Sequence, residues 1–295
     1  MSISSEIKES FKQGSSLTKI IYINLAVFII YNLIKAIFFL SGAPLGDALF
    51  DYLAVPAQTS SLLLRPWTIF TYMFFHQEFL HILFNLLWLY WFGIIFLEYL
   101  SQKQLVGVYI MGGLSGALLY ILAFNLLPIF NNILPMAYAL GASAAILAVV
   151  IAISTLKPNL SINLLFIGAV KLKYLAIFSV ILDLISIPMS NPGGHIAHLG
   201  GALFGYLYII VGRNGIDLVK PVVWIQNIIN FKRQPRTHLK VNYKRTETDY
   251  DYNKRKAENQ ATLDKILDKI AKSGYDSLSK EEKEILFRFK DKSIN

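Results

Sequence analysis

The chain has no cysteine among its 295 residues, which excludes a disulfide framework, a thiol nucleophile and thiolate metal sites. Charge is scarce: Asp, Glu, Lys and Arg make up 16% of the residues, against 55% hydrophobic ones. That balance is too apolar for one soluble domain and fits a polytopic membrane protein with a polar appendage. No His-Glu-x-x-His motif occurs, so the signature of a helical zinc protease is missing. The first long apolar run, near residues 20–40, lacks a small-residue cleavage site. It reads as a retained span and not as a signal peptide.

What the chain does have is six stretches near the ~20 apolar residues that cross hydrocarbon. They fall at about 18–40, 79–98, 105–127, 137–154, 172–189 and 196–212. The expected fold is therefore all-α, a bundle of six transmembrane helices. The connection 41–78 is semi-apolar and rich in aromatics, which suits an element lying in the membrane interface. The stretch 157–171, "KPNLSINLLFIGAVK", reads as interfacial too.

Basic residues orient the bundle. With the N-terminus inside, the internal segments hold Lys8, Lys12, Lys19, Lys103, Lys157, Lys171 and Lys173, whereas the external ones hold Arg65, with Lys35 near the outer end of the first span. The expected protein is multi-pass in the cell's inner (plasma) membrane, with both termini cytoplasmic. Residues 213–295 hold 19 Lys and Arg against 12 Asp and Glu, so they carry +7 of the net +9. The expected organisation is a cytosolic segment 1–17, a six-span domain 18–213, a basic linker 214–260 and a helical hairpin 261–292. In the hairpin Gly274 stops one helix, and Ser279 with Glu282 starts the next as a capping box. The basic linker reads either as a contact for anionic lipid headgroups or as a solvated spacer.

Polar groups inside spans are costly and mark candidate function. His81 and Asn85, in "HILFN", are spaced i, i+4 and share one helix face. They are either an interhelical polar clamp or two donors for a developing oxyanion. In "GGHIAHLGGALFG", Gly201 and Gly205 form a small stripe that lets the sixth span press its backbone on a neighbour. His198 lies one turn above that stripe. The matching small surface is "GASAA" in the fourth span, with Gly141 and Ser143. Singly each feature is packing. Jointly they supply a nucleophile, a base and oxyanion donors.

Residues 65–98 and 138–205 resemble the rhomboid intramembrane serine proteases through "RPWTIFTYMFFHQEFLHILFNLLWLYWFG", "GASA" and "AHLGGALFG", in the family's order and spans. The resemblance covers about residues 15–213. It implies proteolysis within the membrane by a Ser–His dyad without an acid. Ser143 matches the nucleophile and His198 the base. His81 and Asn85 match the oxyanion-stabilising pair, assisted by the Ser143 backbone N–H. The connection 41–78 matches the family's membrane-embedded loop and the fifth span its lateral gate. The implied partners are transmembrane protein substrates and the lipid bilayer, with no nucleic acid, no cofactor and no metal. Oligomeric state has no signal in the sequence. One departure stands out: Ala144 occupies a position where the family commonly has Gly, and its methyl is expected to narrow the site or impair close packing.

Ser143, six residues into the fourth span, is expected ~9 Å below the outer surface, with water reaching it past His81, Asn85 and His198. His195 and His76 are expected in external loops, solvated or near substrate. Asp183, near the outer end of the fifth span, reads as a helix-bridging hydrogen-bond acceptor, with a third triad member as the alternative. Two rival functions remain: a metalloenzyme or bis-histidine cofactor protein using His81, His195 and His198, and a catalytically inactive rhomboid-like binder of membrane clients.

Overall fold

The computed structural model describes residues 11, 13–42, 45–164, 168–231 and 249–292; Lys8, Lys12, His238 and the stretch 232–248 of the expected basic linker lie outside them. The chain forms two compact units, Met1–Gln234 and Pro235–Asn295.

The first unit is mostly helical. Its α1 (Ser16–Leu40) starts where the Ser15 hydroxyl accepts the Thr18 N–H, a side-chain cap that satisfies one orphan donor. Short helices follow: α2 (Leu45–Leu53), α3 (Thr59–Leu64) and α4 (Thr68–Thr71). Next come α5 (Phe79–Tyr99) and α6 (Gln102–Leu126), the latter opened by a Ser101/Gln104 capping box. Beyond them lie α7 (Ser143–Leu156), α8 (Leu172–Ser186), α9 (Pro192–Gly212) and α10 (Lys220–Phe231). Four helices, α1, α5, α6 and α9, are long and apolar enough to cross a membrane. At 14 and 15 residues, α7 and α8 fall short of the ~20 that a straight crossing needs.

The all-α expectation needs a small correction. Val55–Pro56 (β1) pairs antiparallel with Tyr138–Ala139 (β2), and Ser161–Leu164 (β3) with Gly168–Lys171 (β4). The first pair explains why the fourth helix begins at Ser143 and not near 137. Residues 137–139 are extended and held by the 55–57 segment, where the Ala57 N–H donates to the Ala137 carbonyl at 2.9 Å. Ser143 is thus the first residue of its helix, not one six residues in. The second pair makes the expected interfacial stretch 157–171 a hairpin.

The centre of the unit is α7, buried at every position from Ala144 to Ser154. A helix that is apolar all round belongs in a core, and small residues let three neighbours close on it. A Cβ on Gly112 of α6 would strike the Ala148 methyl, and one on Gly201 or Gly205 of α9 would strike the carbonyls of Ala144 or Ala148. On the outside, α1 shows lipid-facing apolar residues such as Ile30, Leu33 and Ile37.

The second unit holds α11 (Asp249–Ser273) and α12 (Lys280–Lys292), joined through Gly274 at φ 77° and a short 3-10 turn. Its second helix opens as expected from the sequence: the Ser279 N–H donates to Glu282 at 2.7 Å and the Glu282 N–H to the Ser279 hydroxyl at 3.2 Å. The first helix starts at 249, well before the expected 261, and α10 occupies part of the stretch expected as linker. A run of polar and charged residues hides a helix from a reading based on apolar spacing.

Candidate active site

Two loops meet at the start of α7. Tyr72, buried, donates its hydroxyl to the Gly113 carbonyl at 2.5 Å, and its own carbonyl accepts the Gly141 N–H at 2.9 Å. Four residues on, His76 Nε2 accepts the Ala142 N–H at 3.3 Å. That bond leaves the ring proton of neutral His76 on Nδ1. Gly141 has φ +116°, which L side chains rarely adopt. A Cβ there would lie 2.8 Å from His81 Cε1 and 3.8 Å from Ser143 Oγ. The missing side chain therefore leaves His81 and Ser143 flanking one small gap.

The helix start matters for charge. The N–H groups of Ser143, Ala144 and Ala145 have no acceptor within the helix, as for any first turn. The N-cap is Ala142, which has no side-chain oxygen to offer them. Free donors and the helix dipole together favour negative charge beside Ser143.

From the other side comes α9. Its N-cap Asn191 is left-handed at φ 46° and accepts the Gly194 N–H at 3.1 Å, with Pro192 in the first turn. The helix thus begins at 192, not 196, and draws His195 into its first turn instead of an external loop. Gly201, one turn beyond His198, packs on the Ala144 carbonyl. The resulting closeness puts His198 Nε2 2.5 Å from Ser143 Oγ.

The other ring nitrogen, His198 Nδ1, lies 2.8 Å from Asp183 Oδ1, and His195 Nδ1 lies 2.8 Å from the same oxygen. The sequence reads Asp183 as a helix-bridging acceptor, with a third triad member as the alternative, and His195 as lying in an external loop, solvated or near substrate. Here one carboxylate oxygen joins two imidazoles three residues apart. The i, i+3 spacing of His195 and His198 was the available signal, and it carries no address for the distant acid. His76, expected in solvent, is fully buried, and its ring meets His81 edge-on with centroids 5.0 Å apart.

Asn85 is buried, and its Nδ2 donates to the His81 carbonyl at 2.8 Å. One amide N–H is tied to its own helix, and the other remains to donate. Ala144 is buried, and its methyl faces α6: a Cβ on Gly116 would lie 2.7 Å from it. The methyl thus occupies space that Gly116 leaves open.

Among the described residues, Asp183, His195 and His198 form a group whose ligand atoms lie within 4.8 Å of one another, close enough to hold a metal ion. In this arrangement Nδ1 of each imidazole is engaged with the carboxylate.

Four apolar crossing helices around a buried, glycine-lined core define an integral membrane protein. The Rhomboid domain matches residues 64–215, more than half of the chain, and the chain belongs to the rhomboid family, whose members are generally intramembrane serine proteases. Residues 246–291 match a family of unknown function (DUF6576). No curated protein matches the chain.

Proposed function

We propose that the protein is an intramembrane serine endopeptidase that cleaves transmembrane segments of membrane-protein substrates near the outer membrane face. The observation that carries this reading is the 2.5 Å approach of His198 Nε2 to Ser143 Oγ, with unsatisfied helix N–H groups beside it. Ser143 is the nucleophile and His198 the general base. Ser143 Oγ adds to the scissile carbonyl as its proton passes to His198 Nε2. The carbonyl oxygen becomes an oxyanion held by His81, the free Asn85 amide N–H and the Ser143 backbone N–H. The tetrahedral species collapses, the C–N bond breaks, and His198 returns the proton to the leaving amine. Water, deprotonated by the same imidazole, then hydrolyses the acyl-enzyme.

In this reading residues 18–213 form the protease domain with six membrane passes, two of them made by the short α7 and α8 with their flanking residues. Both termini lie in the cytoplasm, and the tail 249–292 is a cytosolic appendage. Substrates enter past α8 and unwind locally, which favours Gly, Pro or other helix-weakening residues near the outer boundary.

The test is cleavage of a model type I membrane substrate by purified protein in vesicles. Ser143→Ala and His198→Ala are each expected to lower turnover by roughly 10³-fold or more, and a fluorophosphonate is expected to label wild type but not Ser143→Ala. Undiminished cleavage by both variants overturns the reading. Absence of cleavage and labelling by wild type favours the alternative, a rhomboid-like protein that binds membrane clients without cutting them.

A further inference from the structure

The carboxylate of Asp183 is costly where it is. It sits buried on α8, a helix whose other described positions, Leu172 apart, are not buried, in a segment where a charge needs partners. Its partners are two imidazoles of α9, both on Oδ1 at 2.8 Å. A bridge between the two helices needs only one of those bonds, and His195 supplies it without touching Ser143. The bond to His198 does something His195 cannot.

We propose that Asp183 is a positioning residue for hydrolysis: it takes the Nδ1–H of His198 and so fixes the tautomer whose bare Nε2 faces Ser143. This rests on the protease reading above. A carboxylate accepts and does not donate, so a neutral ring hydrogen-bonded to it through Nδ1 carries its proton there. The opposite tautomer would present Nε2–H to Ser143 Oγ and leave no lone pair for the serine proton. When Nε2 takes that proton, the imidazolium stands against the Asp183 negative charge. The Nδ1 proton stays on the ring, and no net proton reaches the carboxylate. The constellation is a Ser–His–Asp triad in place of an acid-free dyad. His195 is the second donor that keeps the carboxylate from turning away.

The experiment compares wild type, Asp183→Asn and His195→Ala in vesicles, with kcat and KM for one transmembrane substrate. Asn keeps the shape but offers an N–H, which favours the wrong tautomer. Asp183→Asn is expected to lower kcat by about 100-fold or more with KM within about threefold, while His195→Ala, which leaves the carboxylate its bond to His198 but one donor fewer, is expected to lose less than about tenfold in kcat. A kcat loss under tenfold, a loss borne by KM, or an equal loss in His195→Ala overturns the positioning role and leaves wild-type cleavage, and the protease reading, untouched. A second measurement needs neither cleavage nor a folded variant. In ¹⁵N-histidine-labelled wild type at neutral pH, the His198 proton is expected on Nδ1; finding it on Nε2 overturns the proposal.

Discussion

Helices α7 and α8 are nearly equal in length, 14 and 15 residues, and neither crosses a bilayer unaided. They are held in opposite ways. Every position of α7 from Ala144 to Ser154 is buried, with Gly112 and Gly116 against its alanine methyls and Gly201 and Gly205 against its backbone carbonyls. In contrast, α8 buries Leu172 and Asp183 and exposes Ile177, Phe178, Ile181, Leu182, Leu184 and Ile185. One helix is buried along most of its length; the other packs through one edge, with Leu172, Leu175, Ala176 and Val180 on the core, and buries one carboxylate near its C-terminal end. Ser143 sits on the first, and His198, whose Nε2 meets it, is tied to the second.

That contrast breaks first at Gly201. A methyl there meets the Ala144 carbonyl, a backbone group that cannot swing aside. Gly201→Ala must push α9 off α7 and carry His198 from Ser143. A misplacement near 1 Å costs on the order of 100-fold in turnover, so this variant is expected to lose about that much kcat in the vesicle assay. Unchanged turnover would mean that α7 is not positioned by this contact.

The loops over α7 give the next largest effect. Burial, and then the neighbouring His81, hold His76 down to about 3 from the ordinary imidazole value. At pH 7 His76 is neutral in folded and unfolded chains alike, so its full contribution is present there. As pH falls below about 6.5, the unfolded chain binds a proton that the folded one refuses, and stability drops by roughly 1.4 kcal/mol per unit. By pH 5 the loss is about 2 kcal/mol. His76→Gln, which keeps an acceptor for the Ala142 N–H, is expected to lose less between pH 7 and pH 5 in thermal unfolding. Equal losses in the two proteins would show that the ring is not the titrating group.

His76 also marks where the sequence stops being legible. Ser143, His198, Gly201 and Gly205 were readable because helical spacing puts small residues and polar groups on one face, and two such faces in separate spans imply a meeting. The buried place of His76, the link from Asp183 to both imidazoles, and the β1–β2 pair that delays α7 to Ser143 all depend on contacts between distant segments. Nothing local encodes them. Ala144 could be named as a departure from the family motif, but whether its methyl has room depends on Gly116, 28 positions away in sequence.

That pairing yields a smaller effect with a sign test. Gly116→Ala sets a methyl 2.7 Å from the Ala144 methyl and 2.8 Å from the Ala197 carbonyl, an overpacking expected to cost about 1–3 kcal/mol. Adding Ala144→Gly removes the first clash and leaves the second. The double variant should therefore recover part of the loss, with a coupling of about 1 kcal/mol in a thermal-unfolding cycle. Strict additivity would place the Ala144 methyl elsewhere.

The smallest effect belongs to the outer face of α8. Ile181 is 46% exposed, two residues before Asp183 and so turned away from it on the helix. Ile181→Ala removes no packing against the bundle and is expected to shift unfolding stability by less than about 0.5 kcal/mol, with turnover near wild type. The measurement tests whether the exposed face of α8 contributes to holding it. A loss above 1 kcal/mol in the purified protein would mean that this face packs against a surface of its own, and that α8 resembles α7 more than its exposure suggests. A small shift, set beside a large one in Asp183→Asn, leaves a helix whose exposed face is free to meet lipid while its carboxylate stays on His198.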